Sequence, residues 1–457
     1  MSITLRLTPA IHTTLNEMAH SDVESAGVLL AHPRTDRDRT ILTAFDLTPV
    51  PEDAYEVRTD RALQITSDGY VHALKVARAR GAIAIWVHSH PGNHSIPKAS
   101  RHDRRVNAEL EPLFAQQTDT DQYGYLIVSH ADDALTFTGE ISGPVTGPIS
   151  RITATGERWA FRTSYDHDAP MNYDLFDRNV RAFGSQIQHT ISGLTVGIVG
   201  AGGTGSAVAE QLARLGVRSF ILIDPDTLSA SNTTRVYGST PADVGRGKVD
   251  ALGDHLEAIA DGMHVTRIRG TVVSRKPAES LVFADIVFGC TDDNAGRLRL
   301  SRLPYYELVP VIDCGVQITA DDNDTISGIF GRVTTLCLET ACLMCRNRID
   351  LALAEAEVRG LEEQRKLEKE GYAPALPGVE PAVVAFTTLV AATAVSELLE
   401  RLVGYGETPT PSELVLYLHD RAVRANIESP RTGHYCDPAS PRVGTDTEMY
   451  LGLNWAS

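Results

Sequence analysis

Apolar and polar positions along this chain fall into stretches of two periodicities. Residues 10–20 have helical spacing, and 27–31 form a short apolar run of the kind that makes a buried strand. Residues 61–80 repeat apolar side chains at helical spacing through Leu63, Ile65, Val71, Leu74 and Val76. The unbroken run Ala82-Ile83-Ala84-Ile85-Trp86-Val87 predicts a strand, and 123–129 predicts another. Together these give an α/β unit over 1–145. Gly143, Pro144, Gly147, Pro148 and Gly156 then precede polar residues, so 146–170 reads as a linker. A helical stretch near 173–190 opens the second half. Strand 195–199, a glycine-rich loop, helix 206–215 and strand 220–223 follow, the order of a parallel βαβ unit within a mostly parallel sheet. Residues 286–289 predict a further strand, 351–370 a charged helix and 382–395 a buried helix. On this reading the second domain spans 171–430, and 431–457 is a loosely ordered tail.

Composition narrows the class. A chain of 457 residues suggests two or three domains, and 42% hydrophobic residues suffice for real cores. A net charge of -17 argues against nucleic acid as a partner. Residues 1–14 lack the apolar core of a signal peptide, and the run 382–395 is short for a membrane span. The expectation is a cytoplasmic chain with no membrane partner. Six cysteines, Cys290, Cys314, Cys337, Cys342, Cys345 and Cys436, all lie in the second half. They form no disulfide framework, and Cys342-x-x-Cys345 in such a chain suggests a metal knuckle.

The first candidate chemistry sits at the end of strand 82–87. His88 and His90 are two residues apart, so their side chains share one face of a strand. Asp103 follows and adds a carboxylate. Three protein ligands leave a fourth zinc position for water, which is the arrangement of a catalytic zinc. Each piece also has a plainer explanation. An H-x-H is often two satisfied or surface histidines, and Ser100-x-x-Asp103 is also a helix-capping pattern. Their conjunction behind a buried strand, with Pro91 after His90, favours the metal.

This stretch resembles the JAB/MPN (JAMM) metalloprotease family, whose pattern is an upstream glutamate, H-x-H-P and S-x-x-D. Glu24, in Glu24-Ser25-Ala26-Gly27-Val28-Leu29-Leu30, matches the upstream glutamate. The resemblance implies that His88, His90 and Asp103 bind Zn2+, that Glu24 is the general acid/base, and that Ser100 helps hold the oxyanion. Nine residues separate His90 from Ser100 where the family usually has seven, so His94 and His102 stand as rival ligands.

The second candidate is Gly200-Ala201-Gly202-Gly203-Thr204-Gly205, a loop that lets backbone approach phosphates at a helix N-terminus. Asp224 ends the next strand, the distance at which an acid meets a ribose hydroxyl. A nicotinamide or flavin enzyme fits this much equally well. Asn232-x-x-Arg235 and Gly247-Lys248 add cations suited to a triphosphate, and Asp292 follows strand 286–289, where such sheets bind ligands. Taken singly, Arg235 and Lys248 read as surface charges and Asp292 as a helix N-cap.

As a set, from about 173 to 420, these motifs resemble the ThiF/MoeB and ubiquitin-activating adenylyltransferase superfamily. The matching segments are Gly200 to Ser206, Ser231-Asn232-Thr233-Thr234-Arg235, Gly245-Arg246-Gly247-Lys248 and Cys290-Thr291-Asp292. The resemblance implies a Rossmann-like sheet that binds ATP through Gly200, Gly202, Gly203 and Gly205, with Asp224 on the ribose. It implies that Asn232, Arg235 and Lys248 hold the phosphates and that Asp292 coordinates Mg2+. Arg178-Asn179-Val180 is similar to an element whose arginine reaches the partner subunit's ATP site, which implies a homodimer. Val236 stands where the family has glutamine.

Cys342-x-x-Cys345 matches half of that family's structural zinc knuckle. Cys436, with His434 or Cys337, would complete a tetrahedral Zn2+ site. The loop 371–378, where many relatives carry a reactive cysteine, has none, so adenylation without a thioester on that loop is expected. Cys337 remains as an alternative nucleophile.

The two resemblances together imply a bifunctional enzyme. One half adenylates the C-terminal glycine of a ubiquitin-like protein, and the other hydrolyses peptide or isopeptide bonds at that C-terminus. The implied setting is a compact bacterial conjugation pathway with a conjugating enzyme, phage defence included. One rival is sulfur-carrier activation for cofactor or metabolite synthesis, with a sulfur donor as acceptor. Another is a binding protein whose degenerate zinc half only docks the modifier.

Overall fold

The structure is a computed structural model. It describes residues 2–37, 39–131, 133–164, 173–320, 325–359, 382–444, 449–453 and 455. The chain divides into two compact units, Met1–Pro170 with Val443–Thr445, and Met171–Arg442 with Asp446–Ser457.

The first unit is built on β1 (Ser2–Leu7), β2 (Ala26–Asp36), β3 (Arg39–Pro49), β6 (Ile83–Asn93), β7 (Tyr123–Ala131), β8 (Ala134–Ser142), β9 (Gly147–Thr155) and β10 (Trp159–Thr163). A separate hairpin, β4 (Tyr55–Arg58) and β5 (Leu63–Ile65), lies between β3 and β6 in sequence. The strand order is β1-β3-β2-β6-β7-β8-β9-β10, and β1 also pairs with β9. That extra pairing closes β1 to β9 into a barrel-like ring and leaves β10 paired on one side only. Alternation along each strand sends side chains to two sides. One buried cluster joins Leu29, Ile85, Val87, Leu126 and Val128 to helix Pro9–Ala19 through Ile11 and Leu15. The other joins Val28, Leu30, Ala84 and Trp86 to helices Asp68–Arg80 and Arg101–Thr118 through Leu74 and Phe114.

Two expectations are corrected here. The stretch 61–80 is not one helix, because Leu63–Ile65 pairs as β5 before the helix begins at Asp68. The segment 146–170 is not simply a linker, because β9 and β10 occupy 147–155 and 159–163. Its glycines and prolines punctuate the strands, while Ile149, Ile152, Trp159 and Phe161 are buried.

The second unit carries β11 (Thr195–Val199), β12 (Ser219–Ile223), β13 (His264–Ile268), β14 (Ile286–Gly289), β15 (Val311–Ala320), β16 (Ile326–Leu336), β17 (Glu413–Tyr417) and β18 (Ala422–Asn426). Their order is β13-β12-β11-β14-β15-β16-β17-β18. The pairings are parallel from β13 to β15 and antiparallel from β15 to β18, so the sheet is mixed where a mostly parallel one was expected. The strand order reverses between β11 and β14, the switch point where such sheets open a crevice at the C-terminal strand ends.

The apolar run 382–395 belongs to helix Val384–Val403, which packs on helix Gly203–Leu215 through a buried face that includes Val390, Ala391 and Ala394. No described helix is long and apolar enough to cross a membrane. Of the expected helix 351–370, the described part is Leu351–Val358. The loop 371–378 lies outside the described residues. The expected loose tail is another correction. Tyr435, Cys436, Tyr450 and Leu451 are buried in the cluster around Leu300, Tyr305 and Leu343.

Candidate functional site

In the first unit, β6 continues through His88 and His90, and its pleat turns both side chains to the same side. Asp103 comes from the first turn of helix Arg101–Thr118. His88 Nε2 lies 3.4 Å from one Asp103 oxygen and His90 Nε2 lies 3.3 Å from the other. The three candidate ligand atoms all lie within 4.8 Å of one another.

The plainer reading of Ser100-x-x-Asp103 also holds. Ser100 Oγ accepts from Asp103 N at 3.1 Å, and Ser100 N donates to an Asp103 oxygen at 2.6 Å. The cap therefore fixes the carboxylate that faces both histidines. Capping uses only a lone pair of Ser100, which leaves its hydroxyl proton free to donate.

Burial lowers the pKa of the His88 ring, with Asp103 opposing, which favours the neutral imidazole that metal binding requires. Burial acts to raise the Asp103 carboxyl, but the facing His88 and His90 rings outweigh it and hold the carboxyl well below the carboxylate range. Both ring nitrogens of buried His88 lack hydrogen-bond partners. Orphaned imidazole nitrogens beside a carboxylate fit a Zn2+ ion.

Among the described residues, neither rival joins this group. His94 Nε2 turns to Pro91 O at 3.3 Å, and His102 is exposed on its helix. The long loop is tied back instead. Ser129 Oγ donates to His90 O and Gly92 O, each at 2.9 Å, and His94 N donates to His130 O at 2.8 Å. These bonds to β7 accommodate the two extra residues without moving His90 or Asp103 apart.

Glu24 precedes β2, and its carboxyl is raised by burial, with His90 acting the other way and Asp103 adding to the rise. Its backbone is clamped by the hairpin. Glu24 N donates to Thr59 O at 2.8 Å, and Arg58 donates to Glu24 O at 3.0 Å and to Ser25 Oγ at 2.7 Å. Nothing in the spacing of Arg58 and Glu24 signalled this clamp.

In the second unit the glycine loop leaves β11 at the switch point. Gly200 has φ +93°, and a Cβ there would stand 2.5 Å from Cys290 O. A Cβ at Gly205 would stand 1.8 Å from Gly200 O, so neither position tolerates a side chain. A Cβ at Gly202 would meet open space, and Gly202 offers no side chain to cap the helix behind it. Unpaired N–H groups at a helix start facing open space suit a phosphate.

The scattered motifs converge on this loop. Buried Asp224 accepts from Ala201 N at 2.7 Å and from Asp226 N at 2.9 Å. Burial raises its carboxyl, with Lys248 opposing. Lys248 Nζ lies 2.7 Å from Asp226 and 3.8 Å from Asp224. The Arg235 side chain lies against Gly203, and its guanidinium donates to Ser231 O at 3.0 Å. Asn232 accepts from Ser229 N at 3.0 Å as part of a cap.

Asp292 emerges exposed just after β14, next to Thr291, whose N lies near Gly200. The helix N-cap is Asp293, which accepts from Gly296 N at 2.5 Å. Capping therefore falls to the neighbour and leaves the Asp292 carboxylate uncommitted. Acidic and cationic groups around an open phosphate cradle fit MgATP. Arg178 is exposed on helix Tyr173–Phe183 and takes part in none of these contacts.

A second cluster gathers Cys342, Cys345, His434 and Cys436. His434 Nδ1 lies 3.4 Å from Cys342 Sγ, 3.4 Å from Cys345 Sγ and 3.3 Å from Cys436 Sγ, and Cys345 Sγ lies 3.6 Å from Cys436 Sγ. Ligands about 2.3 Å from a tetrahedral zinc stand roughly 3.7 Å apart. The cluster fits that ion with four ligands and no open position. Buried Cys337 is not in the group.

The second unit also has relatives. Residues 176–434 match the ThiF family. Molybdopterin-synthase adenylyltransferase of Escherichia coli is 29% identical over 177 residues, 36% of this chain and 71% of that protein. Ubiquitin-like modifier-activating enzyme 5 of Caenorhabditis elegans is 29% identical over 257 residues, 53% of this chain and 55% of that protein. The crystal structure of E. coli MccB with MccA-N7isoASN aligns at a TM-score of 0.46 and 15% identity over 58% of this chain and 74% of that one. The family match spans more than half of the sequence and contains the whole glycine-loop site, and on that ground this chain is a member of the ThiF family.

Proposed function

We propose that the second unit is an ATP-dependent adenylyltransferase acting on the C-terminal glycine of a ubiquitin-like protein. The observation that carries this is the convergence of Asp224, Arg235, Lys248 and the Thr291–Asp292 segment on the Gly200–Gly205 loop, in a ThiF-family chain. A carboxylate oxygen attacks the α-phosphorus of ATP, the bond to the β-phosphate oxygen breaks, and pyrophosphate leaves. Arg235 and Lys248 offset the charge on the phosphates. Lys248 exchanges Asp226 for a phosphate oxygen as ATP enters. Asp292 would hold Mg2+, which would neutralise phosphate charge when bound. The product acyl-adenylate has AMP as a good leaving group.

The first unit is proposed as a zinc peptidase of JAB/MPN type that hydrolyses the peptide or isopeptide bond at the same C-terminus. His88, His90 and Asp103 would hold Zn2+, which acidifies a bound water when present. Glu24 takes the proton of the attacking water and delivers it to the departing amine. The free hydroxyl proton of Ser100 is donated to the oxyanion. Cys342, Cys345, His434 and Cys436 would hold a second, structural Zn2+.

One unit would expose or free a glycine terminus and the other would energise it, as in a bacterial conjugation pathway with a conjugating enzyme as acceptor and phage defence as a setting. Arg178 would serve the neighbouring ATP site of a homodimer. The absence of cysteine from 371–378 favours transfer from the adenylate to a separate acceptor. A second reading, activation of a sulfur carrier with a sulfur donor as that acceptor, is supported by similarity to "Adenylyltransferase and sulfurtransferase uba4" of Aspergillus terreus, 33% identical over 147 residues, 30% of each chain.

The test is ATP–pyrophosphate exchange with candidate ubiquitin-like proteins. Exchange is expected with one of them and is expected to fall by about 10²-fold or more in Asp292→Ala. Absence of exchange with every candidate sinks the adenylation reading.

A further inference from the structure

We infer that Glu357 is a positioning residue of the nucleotide site, holding the 291–294 segment so that Asp292 is presented toward the phosphates. The inference rests on the proposed role of Asp292 toward the magnesium of MgATP.

The segment between β14 and helix Asn294–Leu300 is short and is fixed at both ends. At its start, Cys290 N donates to Val199 O at 2.7 Å. At its end, Ala295 N donates to Glu357 Oε2 at 2.7 Å, and Asn294 Nδ2 donates to Glu357 Oε1 at 3.4 Å. A helix start leaves four N–H groups without intrahelical partners. Asp293 satisfies the one at Gly296, and Glu357 satisfies the one at Ala295 from a position 62 residues later in the chain. Ala295 and Gly296 are buried, so an unpaired N–H there would be costly.

The bracing is reciprocal. Asn294 Oδ1 accepts from Asp350 N at 2.9 Å, and Asp350 caps helix Leu351–Val358 by accepting from Ala352 N at 2.9 Å and Leu353 N at 3.1 Å. Two short helices thus fix each other's first turns, and Asp292 lies in the span they hold. Burial raises the Glu357 carboxyl, and the Ala295 and Asn294 bonds oppose because amide donors favour the charged acceptor. Its oxygens are engaged by these amides, so its influence on a metal passes through the backbone of Asp292. Glutamate is a good helix former, but in the last turn of helix Leu351–Val358 a carboxylate runs against the helix dipole, so helix formation alone does not call for it there.

The test uses the full chain with ATP and Mn2+ as the metal probe, reading free Mn2+ by electron paramagnetic resonance. Glu357→Ala is expected to weaken Mn2+ affinity of the ATP-loaded chain by about 10-fold or more, in line with outer-sphere partners elsewhere. Its ATP affinity in excess EDTA is expected to match wild type. Glu357→Gln, whose amide oxygen can still accept from Ala295 N, is expected to recover most of the loss. Wild-type Mn2+ affinity in Glu357→Ala overturns the inference. So does a Gln variant as damaged as the Ala variant, or an equal loss of metal-free ATP affinity, which marks a general structural role. Asp292→Ala separates the two levels. If it keeps wild-type Mn2+ affinity, the role of Asp292 falls and this inference with it. If it loses affinity while Glu357→Ala does not, only the positioning role falls.

Discussion

The two units each gather a metal-type cluster, and the clusters differ in ways that follow from physics. His88, His90 and Asp103 offer three ligand atoms, with a carboxylate, a nearby acid in Glu24 and a free hydroxyl proton on Ser100. Cys342, Cys345, His434 and Cys436 offer four, three of them buried thiols. Three ligands leave a zinc open to water, and four close it. The first arrangement suits chemistry and the second suits stability. The difference also appears in where the ligands come from. The first set comes from one strand and the helix that follows it. The second joins a knuckle to a segment about 90 residues away and pins the C-terminal region against Leu343 and Tyr305.

The largest effect is expected from breaking the closed cluster. Cys345→Ala should remove its zinc and destabilise the second unit by more than about 4 kcal/mol, since structural metal binding is folding free energy. At roughly 2–4 °C per kcal/mol, the melting temperature should fall by about 10 °C. Calorimetry and metal analysis check this, and an unchanged melting transition would end the structural role.

His88→Ala should remove one zinc per chain and reduce hydrolysis at a modifier's C-terminus by about 10³-fold, because a metal-generated nucleophile is lost. Pyrophosphate exchange and the second zinc should persist. If metal content is unchanged, or cleavage survives, the clusters do not divide the labour as proposed.

A smaller effect separates the two uses of Ser100. Ser100→Ala should cost about 1 kcal/mol of stability through the cap and about 10²-fold in cleavage rate through the lost donor. Ser100→Asp should restore the cap but not the rate, because a carboxylate accepts but does not donate. Recovery of both would reduce Ser100 to a helix cap.

Local signals were legible where neighbours in sequence settle the structure. The strand into His88-x-His90 has its burial written in 82–87. The Ser100-x-x-Asp103 pattern is both a cap and a carboxylate holder, because the same hydrogen bonds serve both. The glycine loop shows as a strand, a turn needing φ of +93°, and a helix. The strands of 147–163 were hidden because the glycines and prolines around them outweigh their alternation, and ring closure depends on β1 pairing with β9 far along the chain. The choice of His434 over Cys337 beside the other cysteines, Arg58 at Glu24 and Glu357 at Ala295 were not legible, since each is decided by contact between distant segments.

By itself, then, the sequence determined the nucleotide-binding type of the second unit, the ordered motifs of its site, and three candidate zinc ligands in the first. These rest on periodicity, on residues that bend backbone, and on side-chain chemistry, all of which act within a few positions. Tertiary structure alone decided that the first sheet closes, that the second is mixed, that His434 joins the cysteines and Cys337 does not, and that capping falls to Asp293 and leaves Asp292 free. Those outcomes depend on which distant surfaces bury each other and which polar groups are then left to be satisfied, and no short window of sequence carries that information.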